Sequence, residues 1–275
     1  MSMPLRLFGC LFGALAGLAA AGAPARPAAR AAGSSGEVVR FTILYDNYVH
    51  QEGTKADWGF SCLVEGTEKT VLFDTGTRPD ILNQNARALG IDWKRVDLVV
   101  ISHIHDDHTG GLPAVLGEKP GIPVYYPASF PAEFRSRVEG LKGLARPVHG
   151  PIEICRNVRV TGEIGSAIIE QALMVDTAEG LVVVTGCSHP GIVTMLERAR
   201  EVVDRPIRLV FGGFHLGGAT DVQIGQILAR FKELGVAECG ATHCTGDKAI
   251  GAFKAAFGAN FVPMGTGRVI QLPAF

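Results

Sequence analysis

The sequence carries almost no net charge. Its 26 Lys and Arg residues and 27 Asp and Glu residues give a formal charge of −1 over 275 residues. A chain with no excess of basic residues lacks the electrostatic attraction of nucleic-acid-binding proteins for phosphates, so we expect no nucleic-acid partner. After residue 30 the sequence also lacks an uninterrupted apolar run of membrane-spanning length. We therefore expect no stable membrane partner beyond the N-terminal segment.

Cysteine is scarce as well, with six residues in the chain. Five of them follow residue 30, an odd number without regular spacing, which does not indicate a disulfide framework. One pair could form a disulfide in an oxidising compartment. Cys187 and Cys244, however, each lie within two residues of a histidine, and we interpret that proximity as a sign of a metal site.

The N-terminal segment differs in composition from the rest of the chain. Arg6 is the only charged residue before an apolar stretch over residues 7–23, and small residues follow it. This order is typical of an export signal. We expect a signal peptide over residues 1–25, a disordered linker over 26–37, and a periplasmic or secreted domain over 38–275. An uncleaved membrane anchor is the alternative interpretation.

The region after residue 37 alternates between strand-like and helix-like segments. Residues 96–102 form a continuous apolar run, the pattern of a strand buried on both faces. Both halves of the region begin with consecutive strands and end in strand–helix alternation. This arrangement predicts an α/β (α+β) fold with two sheets face to face and helices outside, a four-layer αββα sandwich. We expect the helices over residues 80–89, 129–142, 192–203, 222–234 and 247–257.

A dense polar motif directly follows the predicted strand 96–102. Residues 103–108 read His-Ile-His-Asp-Asp-His, and neutral imidazoles and carboxylates are the ligands that Zn²⁺ and Fe²⁺ prefer. In an extended segment His103 and His105 point the same way and can hold one metal. A turn after them would present Asp107 and His108 to a second metal. The alternative is a solvated polar turn, but so many polar groups would be costly at the end of a core strand.

Three more histidines follow predicted strands: His189, His215 and His243. Polar residues just past the carboxyl ends of strands, flanked by glycine turns, are where α/β architectures place their sites. Each histidine alone would be interpreted as a core or loop residue. Together with the motif at 103–108 they favour a centre for two divalent metal ions, Zn²⁺ first, with Fe or Mn as alternatives.

From residue 38 to the C-terminus the chain resembles the metallo-β-lactamase superfamily, whose defining motif is His-x-His-x-Asp-His. More closely, it resembles a branch similar to the 7,8-dihydropterin-6-ylmethyl-4-(β-D-ribofuranosyl)aminobenzene 5′-phosphate synthases. Four motifs carry that resemblance: Phe-Asp-Thr-Gly (73–76), Cys-Ser-His-Pro-Gly (187–191), Gly-Gly-Phe-His-Leu (212–216) and Thr-His-Cys-Thr-Gly (242–246). Because many reactions occur on this one fold, the resemblance implies metal chemistry more strongly than any single activity.

The resemblance also implies two sets of metal ligands. The first set is His103, His105 and His189. The second set is Asp107, His108 and His243.

Three further residues have roles that the resemblance implies less directly. In the family a Gly-Asp pair follows the strand equivalent to 181–185, and its carboxylate bridges the metals. Here that place reads Gly186-Cys187, so Cys187 is either a thiolate ligand or a spectator, with His189 taking over. His215 is either a ligand or a group that contacts the substrate, and we favour the substrate. Asp74 is expected to orient a ligand imidazole without binding metal itself.

The loop after the first strand often overhangs the active site in this fold. His50 and Trp58 lie in it and are candidate substrate contacts; the alternative is a surface histidine and a packed tryptophan. We also interpret Gly76, Gly110 and Gly111 as turn residues that permit unusual backbone angles near the metals.

These residues predict a metal-dependent hydrolase that acts on a small-molecule ester, lactone, amide or phosphoester. Two divalent ions about 3.5–4 Å apart would share and activate a hydroxide, and Asp107 would be the catalytic residue that binds metal and orients the hydroxide. One alternative is a transferase similar to the synthases, although an enzyme of that pathway is expected in the cytoplasm. A second alternative is a non-catalytic metal-binding protein.

Overall fold

A computed structural model describes residues 38–275 of the chain. The predicted signal peptide (1–25) and linker (26–37) lie outside these residues. Within residues 38–275, no helix has the length and apolar character required to cross a membrane.

The first of two sheets has seven strands. They are β1 (Val38–Tyr45), β2 (Ser61–Glu65), β3 (Val71–Phe73), β4 (Leu98–Val100), β5 (Pro123–Pro127), β6 (Leu144–Val148) and β13 (Val269–Pro273). Their spatial order is β13-β1-β2-β3-β4-β5-β6. The pairs from β3 to β6 are parallel, and the remaining pairs are antiparallel.

The second sheet has six strands. They are β7 (Ile152–Cys155), β8 (Val158–Val160), β9 (Leu173–Thr177), β10 (Gly180–Thr185), β11 (Ile207–Gly213) and β12 (Glu238–Thr242). Their order is β12-β11-β10-β9-β8-β7. β10, β11 and β12 run parallel to one another, and the hairpins among β7 to β10 are antiparallel.

Helices cover the outer face of each sheet. They are α1 (Pro79–Ala88), α2 (Asp106–Thr109), α3 (Leu112–Glu118), α4 (Ala132–Gly140), α5 (Ile192–Val202), α6 (Asp221–Glu233) and α7 (Asp247–Phe257). Buried residues of α1, α3 and α4 pack on the first sheet, and those of α5, α6 and α7 pack on the second. α6 begins with a capping box, in which Thr220 and Gln223 satisfy each other's backbone N–H groups.

Side-chain alternation in the central strands produces the layers. In β10, Val182 and Val184 point into the core between the sheets, whereas Leu181 and Val183 point towards the outer helices. A strand covered on both faces needs apolar residues at every position, which is why β10 has no polar alternation. The two sheets with helices outside confirm the predicted αββα sandwich.

The observed elements differ from the sequence prediction at β4 and β6, and α2, α3 and β7 were not predicted either. β4 (Leu98–Val100) is shorter than the predicted strand 96–102 at both ends. The Val96 N–H donates to the Trp93 carbonyl in a short turn before the strand, and the Ser102 N–H after it donates to the Asp74 carboxylate. β6 was not predicted. It contains Pro147 and exposes most of its side chains, so it has neither the apolar run nor the alternation by which a strand is recognised.

Candidate metal centre

Histidine rings from both sheets form one cluster where their strands end. The His103 ring, after β4, has its centroid 4.1 Å from that of His108 and 4.8 Å from that of His189, which follows β10. The His108 and His243 centroids are 5.1 Å apart, and His243 follows β12. The sandwich therefore brings together histidines that are up to 140 positions apart in the sequence, since 243 − 103 = 140.

The first group of candidate ligands is His103, His105 and His189, whose ligand atoms all lie within 4.8 Å of one another. His103 Nε2 is 3.2 Å from His105 Nδ1. His189 Nε2 is buried and has no hydrogen-bond partner among the described residues. Burial, followed by the charge of nearby histidines, lowers the pKa of His189 to about 4. The imidazole is therefore neutral at pH 7, which is the form that binds metal.

The second group is Asp107, His108, Cys187 and His243, also within 4.8 Å of one another. His108 Nε2 is 3.3 Å from Cys187 Sγ and 3.6 Å from Asp107 Oδ2. His243 Nε2 is 3.3 Å from Asp107 Oδ2 but is buried without hydrogen-bond geometry to any described group. Each imidazole thus directs one nitrogen at the same small volume.

The electrostatics of the second group favour a cation. Burial opposes ionisation of Asp107, but the nearby imidazoles of His108 and His243 hold its pKa below the usual range. Burial likewise opposes protonation of His108, yet the carboxylates of Asp74 and Asp107 raise its pKa to about 10. The volume between the carboxylates therefore stabilises positive charge, whether a proton or a metal ion supplies it.

The two groups fit divalent metal ions. Imidazole nitrogen, carboxylate oxygen and thiol sulfur are donor types that Zn²⁺ accepts. The buried Nε2 atoms of His189 and His243 have no partner in the described structure, and an ion at either group would satisfy them.

Asp74 connects both groups without belonging to either. It follows β3 directly, with φ of +56°. Its Oδ2 accepts hydrogen bonds from His108 Nδ1 and Ser102 Oγ, both at 2.7 Å. Ser102 Oγ in turn accepts from His103 Nδ1 at 2.9 Å. Because the Nδ1 protons are engaged in this way, the Nε2 lone pairs of both imidazoles are free to bind metal.

Glu170 is a central residue of the site that the sequence analysis missed. Its side chain is fully buried. One carboxylate oxygen accepts from the backbone N–H groups of Cys187 and Ser188, and the other accepts from that of His189, all at 2.8 Å. Glu170 thus positions the loop that carries two candidate ligands. It belongs to no motif, and its role depends on a contact across 17 to 19 residues of sequence.

Asn47 and Asp46 were missed too, although a signal for them existed. Asn47 Oδ1 accepts from His243 Nδ1 at 2.9 Å, and Asn47 Nδ2 donates to the His243 carbonyl at 3.2 Å. Asp46 accepts a hydrogen bond from Thr242 Oγ1 at 2.8 Å. Both residues directly follow β1, just as Asp74 follows β3. Polar residues at the carboxyl end of a buried strand are the pattern that identifies them.

Cys187 also belongs to a third group, with His215 and Cys244. Both thiols are buried, and the hydrogen bond with Cys244 together with burial raises the pKa of Cys187. The exposed His215 ring lies with its centroid 4.2 Å from that of His189. Cys187 is therefore shared by the second and third groups, whereas His215 lies outside both of the predicted ligand sets.

A pocket of about 800 Å³ opens beside the centre, and Trp58, His215 and Cys244 are among its lining residues. The Trp58 ring centroid is 5.1 Å from that of His243, so this side chain contacts a candidate ligand. His50 is exposed and does not line the pocket; its backbone N–H donates to the Thr266 carbonyl. Of the two predicted loop contacts, only Trp58 adjoins the pocket.

The prediction of unusual backbone angles was wrong for Gly110 and Gly111. Gly76 has the expected positive φ of +65°, but Gly110 and Gly111 have φ of −63° and −78°, which any residue adopts. Their backbones instead pass very close to another segment. A Cβ atom at Gly110 would lie 1.9 Å from the Thr77 carbonyl oxygen, and one at Gly111 2.0 Å from that of Thr75.

Two ligand groups at the end of an αββα sandwich define a protein that binds divalent metal. The chain belongs to the metallo-β-lactamase superfamily, whose family model matches residues 59–186. It is similar to the solved structure of Tm1679, a metal-dependent hydrolase of the β-lactamase superfamily, with 32% identity and a TM-score of 0.73 over 86% of this chain and 99% of that one.

A curated relative has a different activity in its name. The chain is 28% identical to a 7,8-dihydropterin-6-methyl-4-(β-D-ribofuranosyl)-aminobenzene-5′-phosphate synthase of Methanocaldococcus jannaschii, over 84% of this chain and 95% of the relative. The fold is also shared with the metallo-β-lactamase fold protein YhfI from Bacillus subtilis, at 15% identity and a TM-score of 0.64 over 86% and 99% of the two chains. These relatives agree on the fold and differ in the activity they suggest.

Proposed function

We propose that this protein is a metal-dependent hydrolase of small-molecule esters, lactones, amides or phosphoesters. The observation that carries the proposal is the pair of adjacent ligand groups beside an open pocket. In the proposed assignment one ion, Zn²⁺ in the first instance, is held by His103, His105 and His189. The other is held by Asp107, His108 and His243, with Cys187 next to it.

When bound in these groups, two divalent ions would supply Lewis acidity, which would lower the pKa of water and polarise a carbonyl or phosphoryl oxygen. The chain's own residues provide positioning and proton handling. Asp107 is ionised and its Oδ2 lies between His108 and His243, so it can accept a hydrogen bond from the attacking water and orient it. His215, exposed on the pocket wall above His189, is placed to contact the substrate.

The decisive test combines metal analysis of the purified protein with a panel of hydrolase substrates, with and without chelator. We expect bound metal and chelator-sensitive turnover in the wild type. His103→Ala and Asp107→Ala should each lower the bound metal and abolish turnover. His149→Ala is the matched control, because its side chain is 83% exposed and belongs to none of the ligand groups.

Two outcomes would reject the proposal in different ways. Full activity in His103→Ala and Asp107→Ala would overturn the site. Tight metal binding without turnover on any of the four substrate classes would instead support the non-catalytic metal-binding protein.

The similarity to the synthase of Methanocaldococcus jannaschii supports a transferase as the second candidate function. The assay is the formation of that relative's named product from dihydropterin and ribofuranosylaminobenzene phosphate precursors, followed by mass spectrometry. Product formation without hydrolysis of simple esters would replace the hydrolase proposal.

We also propose export to the periplasm or secretion, supported by Arg6 and the apolar stretch after it. N-terminal sequencing of protein from the native host should give a mature start near residues 21–25. An intact N-terminus in the membrane fraction would support the anchor instead.

A further inference from the structure

The pocket beside the metal centre combines an apolar wall with one arginine whose charge is already paired with carboxylates. We propose that it binds an uncharged, apolar acyl or aromatic group of the substrate and disfavours anionic groups. This inference rests on the proposed hydrolase function and narrows its substrate class to neutral esters, lactones and amides.

Apolar side chains on the pocket wall are only partly covered by the protein. Trp58 is 57% exposed, and Val193, Leu216 and Ile227 are half-buried. Their apolar surface gains free energy when a ligand removes it from water. The volume of about 800 Å³ lies within the roughly 300–1,000 Å³ typical of small-molecule sites.

The pocket adjoins the metal centre through two of its lining residues. His215 has its ring centroid 4.2 Å from that of His189, and Trp58 has its centroid 5.1 Å from that of His243. One contact therefore reaches the first ligand group and the other reaches the second. A substituent next to a bond that reacts at the metals would extend between them into the pocket.

Arg230 is the only lysine or arginine that lines the pocket within the described part of the chain, and it is already paired. Its Nη2 is 2.7 Å from Glu197 Oε1, and its Nη1 contacts Glu233. The three side chains together carry a net charge of −1, so an anionic group beside them would meet repulsion from the two glutamates. Gln226 offers neutral donors and an acceptor, which suits a carbonyl or amide.

Two fluorescent probes test this inference on the metal-loaded, full-length protein. N-phenyl-1-naphthylamine is uncharged, and 1-anilinonaphthalene-8-sulfonate adds a sulfonate to a similar ring system. We expect the wild type to bind the neutral probe more tightly. Trp58→Ala and Ile227→Ala should each weaken that binding by about three- to tenfold. Val222→Ala is the control, because Val222 lies on the same helix as Ile227, is 70% exposed and does not line the pocket.

A charge variant tests whether the pocket disfavours anionic groups. The double variant Glu197→Gln/Glu233→Gln changes the local charge from −1 to +1. It should strengthen binding of the sulfonated probe by about two- to fivefold, as expected for exposed charges, and leave the neutral probe unaffected. Tighter wild-type binding of the sulfonated probe, or equal binding of the neutral probe by all variants, would overturn the inference.

Probe binding requires no turnover, so the inference and the proposed function can fail separately. Metal-dependent hydrolysis with unchanged probe binding in Trp58→Ala and Ile227→Ala would retain the function and reject the pocket assignment. The expected binding pattern without any metal-dependent hydrolysis would do the reverse.

Discussion

Replacement of Glu170 by glutamine is the most informative single change at the centre. The substitution keeps the size and shape of the side chain but replaces one carboxylate oxygen with an amide that only donates. The carboxylate accepts three backbone N–H groups. A glutamine that keeps its oxygen towards Cys187 and Ser188 places its NH₂ group against the N–H of His189. One buried donor then lacks an acceptor, and the loop is pushed away from its position.

The magnitude follows from these hydrogen bonds and from burial. A buried donor without a partner costs about 1–3 kcal/mol, and each lost charge-assisted bond about 1.5–3 kcal/mol. Part of this is offset, because burial raises the pKa of Glu170 to about 7 and the neutral amide avoids that desolvation. We therefore expect a net destabilisation of about 1–3 kcal/mol. For a domain of this size that corresponds to a Tm lower by roughly 2–10 °C.

Metal affinity should fall together with stability, because the displaced loop carries His189 and Cys187. Loss of a residue that orients ligands typically lowers metal affinity by about 10–100-fold. Calorimetric unfolding of the metal-loaded protein and competition with a chromophoric chelator measure the two effects. Glu68→Gln is the control, since Glu68 also accepts a backbone N–H, from Arg156, but at an exposed position. Equal Tm and metal affinity in both variants would refute the assigned role of Glu170.

Three further changes address separate parts of the structure. In protein loaded with Co²⁺, Cys187→Ser should remove a near-ultraviolet thiolate-to-metal band if Cys187 binds metal; a spectrum unchanged from wild type would show a spectator. Gly110→Ala should lower the free energy of unfolding in urea by at least about 1–3 kcal/mol, because its Cβ would overlap the Thr77 carbonyl; an unchanged midpoint would contradict the close approach. Burial raises the folded pKa of Asp46 from 3.8 to about 7, so its stabilising contribution is present below pH 3.8 and is lost as the pH rises through 7. Between pH 5 and 8 the free energy of unfolding of chelator-treated wild type should therefore fall by roughly 2–4 kcal/mol more than that of Asp46→Asn. If the two proteins lose the same free energy of unfolding over this pH range, the reasoning is refuted.

Sequence reasoning succeeded where the signal was local. The apolar run at 96–102 identified β4 as a strand covered on both faces, and the order of strands and helices in the two halves predicted the layered fold. The histidines after β4, β10 and β12 were recognised because a polar residue just past a buried strand has few structural explanations.

The residues that support the ligands were harder to predict. Glu170 acts through backbone N–H groups, which leave no trace in residue identity. The need for glycine at position 110 arises from a neighbouring segment more than thirty positions away, since 110 − 77 = 33. Such requirements depend on which segments meet in space, and a single sequence does not encode that in any local pattern.

One carboxylate, that of Asp74, is shared by imidazoles of both ligand groups, through His108 directly and through Ser102 to His103. The two ions should therefore bind with thermodynamic coupling. An ion bound at one group holds the proton of its imidazole on Nδ1 and fixes the orientation of the ring. The fixed imidazole in turn holds the Asp74 carboxylate in the position that the imidazole of the other group requires. Coupling of this kind is reciprocal, whichever ion arrives first. We expect protein with a single ion to be a minor species throughout a metal titration, with empty and fully loaded molecules in the majority.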